Sequence, residues 1–171
     1  HQETKKPLGK EISQGEILKI IERCGEIFSL SNKERSLLSE VIGVDALLPH
    51  FKSSFIVHGD FVPHNIFLTK DSICVIDWIS AKHSPLGCFD MFSFSLVYAL
   101  HARKMGGLEG CIKAFSSAFL DNNNFSNIIK ECLHEYSRCM GIEDSHMRAL
   151  FALFLVMKAA QEHERRPSKE S

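Results

Sequence analysis

Between Phe55 and Trp78 the chain reads FIVHGDFVPHNIFLTKDSICVIDW. The stretch is mostly apolar and strand-like, yet it carries His58, Asp60, His64, Asn65 and Asp77. Strand interiors favour β-branched and aromatic residues and disfavour Asp and Asn, so these polar side chains need a reason to be there. Their spacing offers one. Pro63 stiffens the turn in FVPH, which can bring Asp60 back beside Asn65. The apolar runs Asn65–Leu68 and Ile73–Ile76 flank the polar turn Thr69–Ser72, the pattern of a hairpin. A hairpin sets its two ends side by side, so Asn65 and Asp77 can converge. An amide oxygen and a carboxylate are hard ligands suited to Mg²⁺. Asp60, free beside them, can orient or deprotonate an incoming hydroxyl. His58 is read as a brace for the loop, and Asp90 as an N-cap and anchor. Trp78 is read as packing, with Lys82 and His83 in a solvated loop.

A second chemistry is open to the same residues. His58, Asp60 and His64 form H-x-D-x₃-H, a possible transition-metal set for a hydrolase, although no further ligand cluster accompanies them.

The rest of the chain must position this stretch. Ser13 with Glu16 and Ser31 with Glu34 are capping boxes, each opening a helix. The first helix has Ile17, Ile20, Ile21, Cys24, Ile27 and Phe28 on one face, and the second has Leu37, Leu38, Val41 and Ile42. Ser80–Gly87 reads as a loop. From Asp90 the helical period returns in four segments. The third carries the stripe Phe125, Ile128, Ile129, Cys132, Leu133, Tyr136 and Met140. The last, about Ser145–Arg165, is apolar on most sides and so central. The outline is a mostly helical α+β domain with its functional residues on a short β insert.

Composition limits the alternatives. The chain has 171 residues, room for one domain with a sizeable core, and 44% hydrophobic with 24% charged residues is ordinary for a globular protein. A net charge of −1 gives no bulk electrostatic case for nucleic acid or an anionic membrane surface. The longest apolar run, Ala149–Met157, is too short to span a bilayer. The six cysteines include no CxxC pair and sit mostly at apolar positions of periodic segments, as reduced core thiols of a cytoplasmic protein would. No secretory leader is legible.

The motif HGDFVPHN has the spacing of the protein-kinase catalytic loop H-R-D-x-x-x-x-N, with Gly in place of Arg, and VIDW stands where kinases carry D-F-G. The H-G-D…N…I-D-W form resembles the aminoglycoside phosphotransferase family of small-molecule kinases. Asp90 in GCFDMFSF is similar to that family's P-x-x-D-L-A element. The motifs cover about residues 50–100, and the remaining helices agree only in general character. The resemblance implies the C-terminal lobe of a protein-kinase-like fold. It further implies transfer of the γ-phosphate of ATP, with Mg²⁺, to a hydroxyl of a small molecule. Asp60 would be catalytic, Asn65 and Asp77 would hold the metal, Phe67 and Ile76 would floor the adenine, and His58 and Asp90 would support the site. Residues 13–166 would form the lobe, as leading helices over 13–48, the loop and hairpin over 55–78 and a helical subdomain over 90–165. Residues 1–12 would be a lead-in and 167–171 a tail.

The family's N-terminal lobe supplies a loop over the phosphates and a paired lysine. Neither is visible before His58, and the chain opens on His1. The expectation is therefore a piece of a longer protein whose N-lobe lies elsewhere, with very slow transfer by this chain alone. A non-catalytic kinase-like binding module is the alternative. The acceptor is unspecified. Glu131, Glu135, Glu143, Asp144, Glu162 and Glu164 on the later helices suit a cationic one, but read more simply as solvated helix faces.

Overall fold

The structure is a computed structural model that describes residues 2–7, 13–102 and 106–165. It is mostly helical with little sheet, an α+β chain. It divides into two compact units, one of His1–Lys5 with Ser54–Ile142 and the other of Lys6–Ser53 with Glu143–Ser171.

The second unit is helical. It begins with a two-residue strand, β1 (Lys6–Pro7), followed by α1 (Gln14–Ile27), α2 (Asn32–Ile42) and the single turn α3 (Val44–Leu47). A 3₁₀ turn, Leu48–Lys52, closes this part, and the long C-terminal helix, here α7 (Asp144–Arg165), completes the unit. Both capping boxes form. Glu16 N–H donates to Ser13 Oγ at 3.3 Å while Ser13 N–H donates to the Glu16 carboxylate at 2.8 Å, and Ser31 and Glu34 repeat both distances. Gly43, at φ +52°, ends α2 in the left-handed conformation that a side chain would resist. Arg35 donates through Nε to Leu30 O at 3.0 Å and lies across Gly25, where a Cβ would fall inside its guanidinium. The expected stripe of α1 is buried at Ile17, Ile21 and Cys24, while Phe28 lies outside, edge-on to His163. The stripe expected on α2 is not a core face: Ile42 is buried, but Leu37 and Val41 are exposed. In α7, Met147, Ala149, Leu150, Leu153, Phe154 and Val156 are buried, and α1, α2 and α3 pack against it.

The other unit holds the rest. β2 (Ser53–Val57) runs antiparallel to β5 (Lys82–Ser84), with Phe55 opposite Ser84 and Val57 opposite Lys82. A three-residue strand thus lies inside the stretch Ser80–Gly87 that is expected as a loop. Between these strands stands the hairpin of β3 (Ile66–Leu68) and β4 (Ile73–Val75), paired Ile66 to Val75 and Leu68 to Ile73. Then come α4 (Cys88–Ala102), α5 (Gly107–Phe115), a π turn over Ser116–Leu120 and α6 (Asn124–Met140). Ala99, Ala118 and Ile129 make a small core here, covered by Phe119, Phe125 and Leu133.

The buried face of α6 is rotated from the apolar stripe. Ser126 and Ser137 are buried with Ile129, whereas Ile128 and Cys132 are exposed. The serines can go inside because each hydroxyl has a backbone acceptor, Asn123 O at 2.9 Å and His134 O at 2.7 Å. Cys24 and Cys88 are buried as expected, but Cys74, Cys111, Cys132 and Cys139 are exposed, so most of the thiols are not core residues. All six are free.

Candidate active site

The site is built from the loop after β2, the β3–β4 hairpin and the first turn of α4. Its foundation is Asp90. That residue sits within the first turn of α4 rather than at its cap, and it is buried. Its two carboxylate oxygens accept separate backbone hydrogen bonds, from His58 N–H at 2.7 Å and Gly59 N–H at 3.0 Å. Bonds of this kind to a charged acceptor are stronger than neutral ones, so the start of the loop is fastened to the helix.

His58 is only 2% exposed. Asp60 N–H donates to its Nδ1 at 3.3 Å, so Nε2 carries the ring proton and donates to Ile76 O at 2.8 Å. One imidazole therefore joins the loop to the residue before Asp77. Trp78 lies over the same ring, with centroids 4.7 Å apart, and its indole N–H donates to Val75 O at 2.9 Å. It packs with one side while remaining half exposed.

Gly59 is required where it stands. Its φ is +80°, and a Cβ would lie 2.6 Å from Ser80 O. The loop then crosses Phe61, whose ring meets Phe94 of α4 at 5.7 Å. Asn65 N–H closes a 3₁₀ turn onto Val62 O at 3.0 Å. The Asn65 amide reaches back, with Nδ2 donating to Asp60 O at 2.9 Å and to the Asp60 carboxylate oxygen Oδ2 at 3.2 Å. Asp60 is exposed, and its other carboxylate oxygen is left available.

The hairpin ends meet. Ile76 N–H donates to Asn65 O at 2.9 Å, and Asp77 follows directly. Asp77 adopts φ +63° and ψ +57°, one of two non-glycine residues with positive φ among the described residues. Among these residues its carboxylate accepts no hydrogen bond. Strained backbone of this sort clusters at functional sites. On the hairpin, Phe67 and Ile76 are exposed, as are Leu68 (79%) and Ile73 (68%).

Of the residues read from the sequence, Asp60, Asn65, His58, Asp90 and Ile76 are joined by hydrogen bonds, and Asp77 adjoins Ile76. Phe67 stands on the hairpin without a hydrogen bond to that network. The H-x-D-x₃-H metal reading does not hold. Both His58 ring nitrogens are engaged, His64 packs instead on His101 at 4.8 Å, and no group of three or more His, Cys, Asp or Glu among the described residues is placed to hold an ion. The acidic residues of the later helices behave as solvated faces: Glu135 pairs with Arg138, Glu162 with Lys158 and Arg165, and Glu164 with Arg23. The need for glycine at 59, the left-handed Asp77 and the Trp78 cover on His58 are not legible in the sequence. The only sequence signal was a glycine directly before the key aspartate.

Two hard oxygen donors at the hairpin ends are uncommitted among the described residues. Asn65 spends its amide nitrogen on Asp60, which leaves Oδ1 as a free acceptor, and Asp77 offers an uncommitted carboxylate. Oxygen donors of this type suit a hard divalent cation such as Mg²⁺, which takes few protein ligands.

Compared with protein-family models, curated proteins and solved structures, the chain finds no match in any of the three. No helix among the described residues is long and apolar enough to cross a membrane.

Proposed function

We propose that this chain carries the catalytic lobe of an ATP-dependent phosphotransferase acting on a hydroxyl of a small molecule, resembling the aminoglycoside phosphotransferases. The observation that carries this reading is the shared scaffold: Asp90 fastens the loop, His58 ties it to the residue before Asp77, and Asn65 ties it to Asp60. Three polar groups with distinct tasks are thereby held by backbone that cannot drift independently. Such positioning is most of what phosphoryl transfer asks of a protein.

In this reading the free oxygen of Asp60 accepts the proton of the acceptor hydroxyl as the oxygen attacks the γ-phosphorus. The bond from that phosphorus to the β-bridging oxygen breaks, and ADP leaves. Asn65 holds the Asp60 carboxylate in orientation and presents Oδ1 on the other side. Bound Mg²⁺, held by Asn65 and Asp77, would neutralise phosphate charge. Phe67 and Ile76 would offer the adenine an apolar floor.

The test is ADP release by the full natural chain against a panel of alcohols. Asp60→Asn should lower kcat by at least ~10²-fold while sparing ATP binding, the range for loss of a general base. Asp77→Asn should remove Mg²⁺-dependent nucleotide binding. Wild-type rates in both variants would sink the assignment. Tight Mg²⁺–ATP binding with no turnover on any acceptor would favour a binding module.

A further inference from the structure

Two histidines outside the unit that carries this site face each other within the helical unit. His50 lies in the 3₁₀ turn Leu48–Lys52 and His146 in the first turn of α7. His50 Nε2 is 2.8 Å from His146 Nδ1, and the rings meet edge to face with centroids 4.8 Å apart. A contact of that length between two imidazole nitrogens is a hydrogen bond with one proton in it: one nitrogen donates and the other must be bare. A second proton would aim two N–H groups at each other and set two positive charges side by side.

Around His50, burial and the neighbouring ring act against a second proton, and Glu143 acts for it. The balance holds His50 below the ordinary histidine range, burial being the largest cause. On the packed elements three charged groups have partners of their own, and Asp144 shares the first turn of α7 with His146. Arg23 of α1 pairs with Glu164, Arg35 of α2 bonds Leu30 O and Glu22 O, and Asp45 of α3 accepts from the Gln14 amide at 2.9 Å.

The position of the pair gives it a use. The chain leaves the helical unit after Ser53 and returns to it at Glu143. His50 stands just before the exit and His146 just after the return. One hydrogen bond therefore ties together the two stretches of chain that serve these passages. Downstream of the exit lie β2 and then His58–Asp60.

We propose that His50 and His146 form an acid-released clasp: with one shared proton they hold the two passages together, and a second proton, taken from solvent, parts them. This does not depend on the phosphotransferase reading. The sign follows from linkage. The folded chain resists protonating His50, whereas the unfolded chain accepts the proton near pH ~6.5. The clasp's contribution is complete above that pH and is lost as pH falls below it.

The experiment is limited proteolysis of the full chain from pH 7.5 to 5.5, normalised to an unstructured peptide, together with imidazole titration by NMR. Cleavage near residues 50–54 and 142–146 should accelerate roughly fivefold on acidification, tracking the opened population. In His50→Gln and in His146→Gln, which cannot acquire the second charge, the acceleration should vanish. Equal acceleration in wild type and both variants would overturn the proposal. So would two imidazoles that titrate independently near pH ~6.5 in the wild-type chain, a readout that needs no variant to fold.

Discussion

Asp77 illustrates how one residue can serve the site against its own backbone. A left-handed conformation costs an ordinary L-residue about 1–2 kcal/mol, less for Asp than for most, and glycine pays nothing. Asp77→Gly should therefore raise the thermal midpoint, with a gain of about 1 kcal/mol, while losing the carboxylate. Asp77→Ala should show no such gain. Denaturation of the three proteins side by side checks this, and equal midpoints would mean that the turn carries no strain at 77. At this scale the sequence was informative where a residue type clashes with its setting. Asp60, Asn65 and Asp77 stand out in an apolar stretch because their chemistry is out of place there. The shape they impose did not stand out. Nothing in the letters GD states that Ser80 O will press against residue 59, because that approach comes from a segment some twenty residues away.

Elements were legible where their signals are local. The boxes at Ser13 and Ser31 form as read, since a cap and its partner lie three residues apart and the chain need not fold to bring them together. The hairpin over Ile66–Val75 was legible for the same reason, with Thr69 closing the turn onto Ser72 O. β5 is not legible because Lys82–Ser84 is polar, precedes Pro85 and becomes a strand only by pairing with β2. The apolar stripe of α6 lies part of a turn away from its buried face because satisfied serines take core positions. Asn123 makes that helix testable. Its side chain accepts from Ser126 N–H at 3.0 Å and donates to Ser117 O at 2.9 Å, so it caps α6 and ties down the π turn together. Asn123→Ala should cost about 1–2 kcal/mol in chemical denaturation. A loss within error of zero would show that water replaces both bonds.

Across the whole molecule, the thiols report how burial is distributed. Burial raises Cys24 above the ordinary thiol range and pushes Cys88 up to about 12, so neither presents much thiolate at neutral pH. Cys74, Cys111, Cys132 and Cys139 are exposed. A thiol reagent at pH 8 should modify four cysteines quickly and the last two only as the chain opens. Six fast reactions under native conditions would contradict the packing described. The cysteine positions alone suggested a buried set. That expectation failed because apolar spacing marks a helix face without saying which faces find a neighbour.

Asp90 carries a further consequence. Its carboxylate grips the loop through the backbone N–H groups of residues 58 and 59, so these two bonds ask for peptide groups and not for particular side chains. Residues 61 to 64 can therefore be exchanged without touching the two bonds that seat the start of the loop on its helix. Variation in the loop and permanence of its address thus fall to different residues, and the second depends on position 90.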